Sequence, residues 1–132
     1  MADYFGTSIN ESPTIVLEAG KDIGGAQGIA LAIKNGKAEK PTAGANVIGL
    51  SLFTNDEKVK AGDDVDIQVK DIGKWIAGGA VAVGDELTTN AEGKAVKAAA
   101  GNFITAVALS AATEAGSVVK VQLIKAGYKP KE

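Results

Sequence analysis

The sequence predicts an all-β fold, a small β-barrel or sandwich built from two pseudo-repeated units and preceded by an extended N-terminal arm. Three observations predict it. Seventeen glycines against three prolines in 132 residues break the chain into short segments, as expected of short strands joined by tight turns. Several of these segments alternate apolar and polar residues, the period of a half-buried strand. A stretch near the middle of the chain also aligns with a later one, in order and in hydrophobic phase.

Each element follows from its residues. Residues 1–13 are polar and aperiodic and end at Pro13, so they read as an arm. Thr14 to Glu18 is β-branched and strand-like, and Ala19 to Asp22 turns. Ile29 to Ile33 is a short apolar run followed by Asn35-Gly36, a strong hairpin signal. Val47 to Phe53 is a second apolar run. Val65, Ile67 and Val69 alternate with Asp66, Gln68 and Lys70, and Lys74 to Ile76 continues after Gly73. Leu87 to Thr89 turns through Asn90 to Gly93, Phe103 to Leu109 is apolar, and Val119, Val121 and Leu123 alternate with Lys120 and Gln122. The Ala-rich stretches favour helix, but glycines at 93, 101 and 116 cut them short. At most one brief helical turn is expected, near Ser110 to Glu114.

The repeat aligns Gly36–Leu52 with Gly93–Leu109 without gaps, then Ala61–Val69 with Ala115–Leu123. One unit alone has an apolar face that it cannot bury; two packed units protect their faces and edges. Gly44, Gly49, Gly62, Gly101 and Gly116 fall where strands begin, end or bend, and a positive φ is expected there. The expected organisation is an arm over 1–13, a β domain over 14–124 with repeat units at about 28–70 and 84–124, and a tail over 125–132. The expected core is Ile15, Val47, Leu50, Leu52, Val65, Ile67, Val69, Ile104, Val107, Leu109, Val119, Val121 and Leu123.

Composition removes most chemistry. Without cysteine there are no disulfides, thiolate metal sites or thiol nucleophiles. Without histidine the commonest general base and metal ligand is missing. The 14 basic residues are all lysine against 16 acids, a net charge of −2, which does not mark a nucleic-acid binder. The glycine-rich pieces do not fit a phosphate loop. Asp63, Asp64 and Asp66 lack the spacing of a calcium loop and read as a solvated turn and strand face. No catalytic residue, cofactor or metal ligand is therefore expected. The N-terminus has no apolar signal region, and no apolar run approaches the ~20 residues needed to cross a bilayer. A protein soluble in the cytoplasm is the expectation, with no membrane partner.

Two features remain as candidate binding elements. The arm carries Tyr4 and Phe5, two of the six aromatic residues, together with Ile9. Aromatics on a polar segment that cannot fold alone suit burial by a partner. Trp75, the single tryptophan, is expected in the core or at a subunit interface; a carbohydrate platform is the sharper alternative.

The order of elements from Gly28 to Ile124 resembles the capsid cement, or head decoration, proteins of tailed bacteriophages. The residues that carry the resemblance are the A-G-x-x-V-x-I-x-V strand from Ala61, the A-V-x-x-G-D turn ending at Asp85, the G-x-A-V-x-A-A hairpin from Gly93, the I-x-A-V-A-L run to Leu109 and the closing strand from Ala115. The resemblance implies a β-rich structural protein without catalysis. It would sit on the outer surface of the virion capsid, bound to the major capsid protein, often as a homotrimer bracing neighbouring subunits. The alternatives are another virion module, of tail or baseplate, or a carbohydrate- or ligand-binding β module.

Overall fold

The computed structural model describes residues 12–131. Among these residues twelve strands form three sheets in a sandwich-like all-β arrangement, with no helix. In chain order the strands are β1 (Thr14–Glu18), β2 (Ile23–Gly24), β3 (Ala30–Lys34), β4 (Lys37–Glu39), β5 (Gly49–Ser51) and β6 (Lys58–Val59). There follow β7 (Asp64–Gln68), β8 (Ile72–Ile76), β9 (Glu86–Thr89), β10 (Ala95–Lys97), β11 (Phe103–Ala108) and β12 (Val118–Tyr128).

The first five-stranded sheet has the order β1-β7-β5-β3-β4; the second, read from its corresponding edge, has the order β8-β12-β11-β9-β10. Strand for strand the two orders match. In each sheet the outer strands touch through one parallel bridge, Ala19 to Ala38 in the first and Ala77 to Ala95 in the second. Corresponding backbone bonds flank these bridges: Gly20 N–H donates to Ala38 at 2.9 Å and Gly78 N–H to Ala95 at 2.7 Å. One bridge does not make a ladder, so neither sheet closes into a barrel. The β2–β6 pairing, Ile23 against Val59, corresponds in place to an isolated bridge between Val81 and Ala112.

The local signals act as their chemistry requires. Asn35 and Gly36 both have positive φ, 53° and 77°, which is what a two-residue hairpin loop with the right-handed twist of its strands demands. The aligned glycines Gly44 and Gly101 also have positive φ. Gly49 differs: its φ is not positive, and a Cβ there would overlap the Gln68 carbonyl oxygen. It is a site of close strand approach.

Alternation sorts side chains as expected in β7, where Val65 and Ile67 are buried, and in β12, where Val119, Val121 and Leu123 are buried. Two cores result. Ile23, Leu31, Val59, Val65 and Ile67 form one with small alanines; Val47, Leu50, Trp75, Leu87, Val119 and Val121 anchor the other. Val47 and Leu50 come from the first half of the chain, so the second core joins the halves.

Several expectations need correction. Leu109 is exposed and Val107 only half-buried, because Ala106 and Ala108 take the inward positions at the end of β11 and the residues that alternate with them there, Val107 and Leu109, face out. Leu52, Ile15 and Val69 are also only partly buried. The segment 110–114 forms no helical turn; Ala112 pairs instead with Val81, each N–H bonded to the other's carbonyl at 2.9 Å. The closing strand passes Ile124 and reaches Tyr128. An irregularity in the ladder lies opposite Ile104 and Ala106, and beyond it Phe103 again faces Tyr128. Their rings meet edge-to-face at 5.2 Å.

Candidate functional site

Trp75 is fully buried within the chain, with 0% exposure. It sits on β8 facing the core, and its indole N–H donates to the Gly93 carbonyl at 2.8 Å. The same carbonyl accepts the Ala30 N–H at 2.7 Å. The β9–β10 turn is thereby fastened to β3 and β8 at once. Gly93 is required there: its φ is +84°, and a Cβ would lie 2.7 Å from the Ala30 carbonyl oxygen. Trp75 belongs to the core cluster that joins the two sheets.

Tyr4, Phe5 and Ile9 lie outside the described residues. Their attachment point is described. Pro13 accepts a hydrogen bond from Val69 N–H at 2.7 Å, and Thr14 pairs with Gln68, so the arm enters the domain beside the end of β7.

The acidic residues Asp64 and Asp66 lie on β7, with Asp63 just before it. Asn55 binds both backbone groups of Asp66, accepting its N–H at 2.9 Å and donating to its carbonyl at 2.8 Å. Asp64 lies opposite Glu18 in the β1–β7 ladder. Among the described residues no group of three or more His, Cys, Asp or Glu side chains gathers to hold a metal ion. No helix there is long and apolar enough to cross a membrane.

The surface with binding character surrounds β8, which the sequence reading did not single out beyond Trp75. Among the described residues β8 is an edge strand with only β12 beside it. Ala77 N–H donates to Ser117 and Leu123 N–H donates to Asp71 across that ladder. By alternation Gly73 and Trp75 also bond to β12, whereas Ile72, Lys74 and Ile76 turn their backbone groups outward. The Ile76 N–H is taken by Gly28 at 2.8 Å. The Ile72 carbonyl is taken by the Gln68 side chain at 2.8 Å. Lys74 is left with its N–H and C=O directed away from the sheet.

Beside this open position lies a groove of about 270 Å³ lined by Leu52, Phe53, Gln68, Ile72, Gly73 and Lys74. Ile72 is 55% exposed, Val118 48% and Phe53 39%. Lys74 stands directly opposite Lys120 in the ladder, and neither has an ion-pair partner among the described residues. Like charges placed opposite each other destabilise a sheet. The arrangement is an apolar strip with an unsatisfied strand edge and two uncompensated cations. Such a surface suits an extended, acidic, partly apolar segment.

Residues 10–123 match the phage cement protein family. The chain belongs to that family. No curated protein matches the sequence. Among solved structures this cement protein is similar to the N base of head fiber gp8.5 of bacteriophage phi29. The two share 19% identity with a TM-score of 0.63, over 90% of this chain and 98% of that one. At that identity the likeness speaks for a shared fold.

Proposed function

We propose that this cement protein binds the outer surface of a phage head and braces the capsid lattice, without catalysing a reaction. Membership of the phage cement family carries the reading. The fold it shares with the base of a phi29 head fiber supports a place on the head rather than in a tail or baseplate. The partner in this reading is the major capsid protein, bound by a homotrimer whose repeated weak contacts add up through avidity. Nucleic acid and membrane have no part in it. The protein would be made in the host cytoplasm and end on the virion. Capsid contact falls to the arm, with Tyr4, Phe5 and Ile9 as anchors. The domain behind it is read as two copies of one unit, a reading supported by the matching strand orders and paired bridges.

The test adds purified protein to heads that lack it and images them by electron cryomicroscopy. Ordered density on the outer surface and a higher temperature of head disruption are expected. Alanine at Tyr4, Phe5 and Ile9 together should weaken binding at least about tenfold. Bare heads of unchanged heat resistance would overturn the proposal. Full binding by the triple variant would move the contact from the arm to the domain.

A further inference from the structure

We infer that in the free protein the groove beside β8 is the docking site of the chain's own N-terminal arm. The arm would lie as an added strand against the open edge at Lys74, with Tyr4 and Phe5 over Phe53 and Ile72. The inference concerns the protein before it meets a partner and does not rest on the capsid-binding reading.

Three observations select this occupant. The first is position. Pro13 is bonded to Val69 at 2.7 Å, the next residue along from Gln68. The Gln68 side chain lines the groove and holds the Ile72 carbonyl at 2.8 Å. The twelve residues before Pro13 span up to roughly 40 Å when extended, ample for a groove that starts beside their root.

The second observation is charge. Lys74 and Lys120 face each other across the β8–β12 ladder without a counter-charge among the described residues. The arm carries Asp3 and Glu11 and no lysine. An acidic segment laid on this pair relieves the like-charge opposition.

The third is chemical need on both sides. Among the described residues the Lys74 N–H and C=O lack a strand partner, and an unpaired edge is a template for another extended segment. The arm has too little apolar content to fold alone, yet Tyr4 and Phe5 gain by leaving water. Exposed Phe53, Ile72 and Val118 present the matching apolar surface next to the edge. A parked arm would cover that edge until a partner takes the arm away, which also guards the free protein against edge-to-edge association.

The experiment uses the full chain. The protein has no cysteine, so Ser8→Cys accepts a single spin label. The label should broaden the amide signals of Phe53, Ile72 and Lys74 in the NMR spectrum. In the unlabelled chain the Lys74 amide should exchange at least about tenfold more slowly than in a Tyr4→Ser/Phe5→Ser variant. Mixing a spin-labelled copy with an isotope-labelled, cysteine-free copy identifies the donor of the arm. Broadening confined to the same chain supports the inference. Broadening that passes between copies would assign the groove to a neighbour's arm and overturn it. Absence of broadening, or a Lys74 amide equally fast in both chains, would also overturn it. Neither measurement involves heads, so the outcome is independent of capsid binding.

Discussion

Replacing Gly93 by alanine tests how the two halves of the domain are fastened. Gly93 has φ +84°, and placing an L-residue in that left-handed region costs about 1–2 kcal/mol. The added Cβ would also stand 2.7 Å from the Ala30 carbonyl oxygen. That neighbour is backbone, so the turn or β3 has to move. Movement weakens the bonds that the Gly93 carbonyl accepts from Ala30 N–H and the Trp75 indole, at 2.7 and 2.8 Å. A buried donor left without its acceptor costs about 1–3 kcal/mol. The expected loss for Gly93→Ala is therefore about 2–5 kcal/mol. Gly36 is the internal control. It aligns with Gly93 in sequence and has φ +77°, but a Cβ there meets nothing within 4 Å. Gly36→Ala should cost only about 0.5–1.5 kcal/mol, strain partly offset by a stiffer unfolded chain. Urea unfolding followed by Trp75 fluorescence reads both variants, with unchanged slope and shifted midpoint. If the two losses agree within about 0.5 kcal/mol, the Gly93 carbonyl is not the fastening point and the argument fails.

Three further outcomes follow from the same structure. Trp75→Phe removes the indole N–H and part of a fully buried ring, and should cost about 1–3 kcal/mol in chemical unfolding followed by circular dichroism; an unchanged midpoint would refute its place in the core. Asn55→Ala removes the side-chain bonds to Leu52 and Asp66 and should cost about 1–3 kcal/mol, with faster exchange of the Asp66 amide in NMR as the local sign. The exposed Lys37 amine donates to Glu18 at 2.6 Å, and this bond and charge hold its pKa above the ordinary 10.5. Because the folded value is the higher one, its contribution to stability is present below pH 10.5 and fades as pH rises through the folded value. Glu18→Gln should bring the Lys37 titration, followed by NMR, back toward the ordinary value; no downward movement would contradict the pairing.

What was legible in the chain was local. Period-two alternation encoded the buried faces of β7 and β12, because successive side chains of a strand point to opposite sides whatever the strand packs against. Asn35-Gly36 encoded its own hairpin through the left-handed conformations it tolerates. The aligned segments around Gly36 and Gly93 fall in corresponding hairpins of two sheets with matching order. A continuous apolar run carries no such phase, so Phe103 to Leu109 left open which residues face inward, and Leu109 was misplaced. The two-residue strands at Ile23 and Lys58 were too short to leave a pattern.

Family membership likewise lay within reach of the sequence, since the order of its small motifs survives in the chain. The candidate site did not. Trp75 is a core residue because β8 happens to cross beneath the β9–β10 turn, and no residue near Trp75 in sequence reports that crossing. The groove exists because β8 ends its sheet, so Lys74 keeps an open edge while Phe53, from a distant loop, comes to lie beside Ile72. Which strand becomes an edge, and which loop meets it, is settled by packing energy between segments far apart in the chain. Sequence determined the strands, their turns and most of their faces; only the tertiary structure decided where two halves are fastened and where the surface is left unfinished.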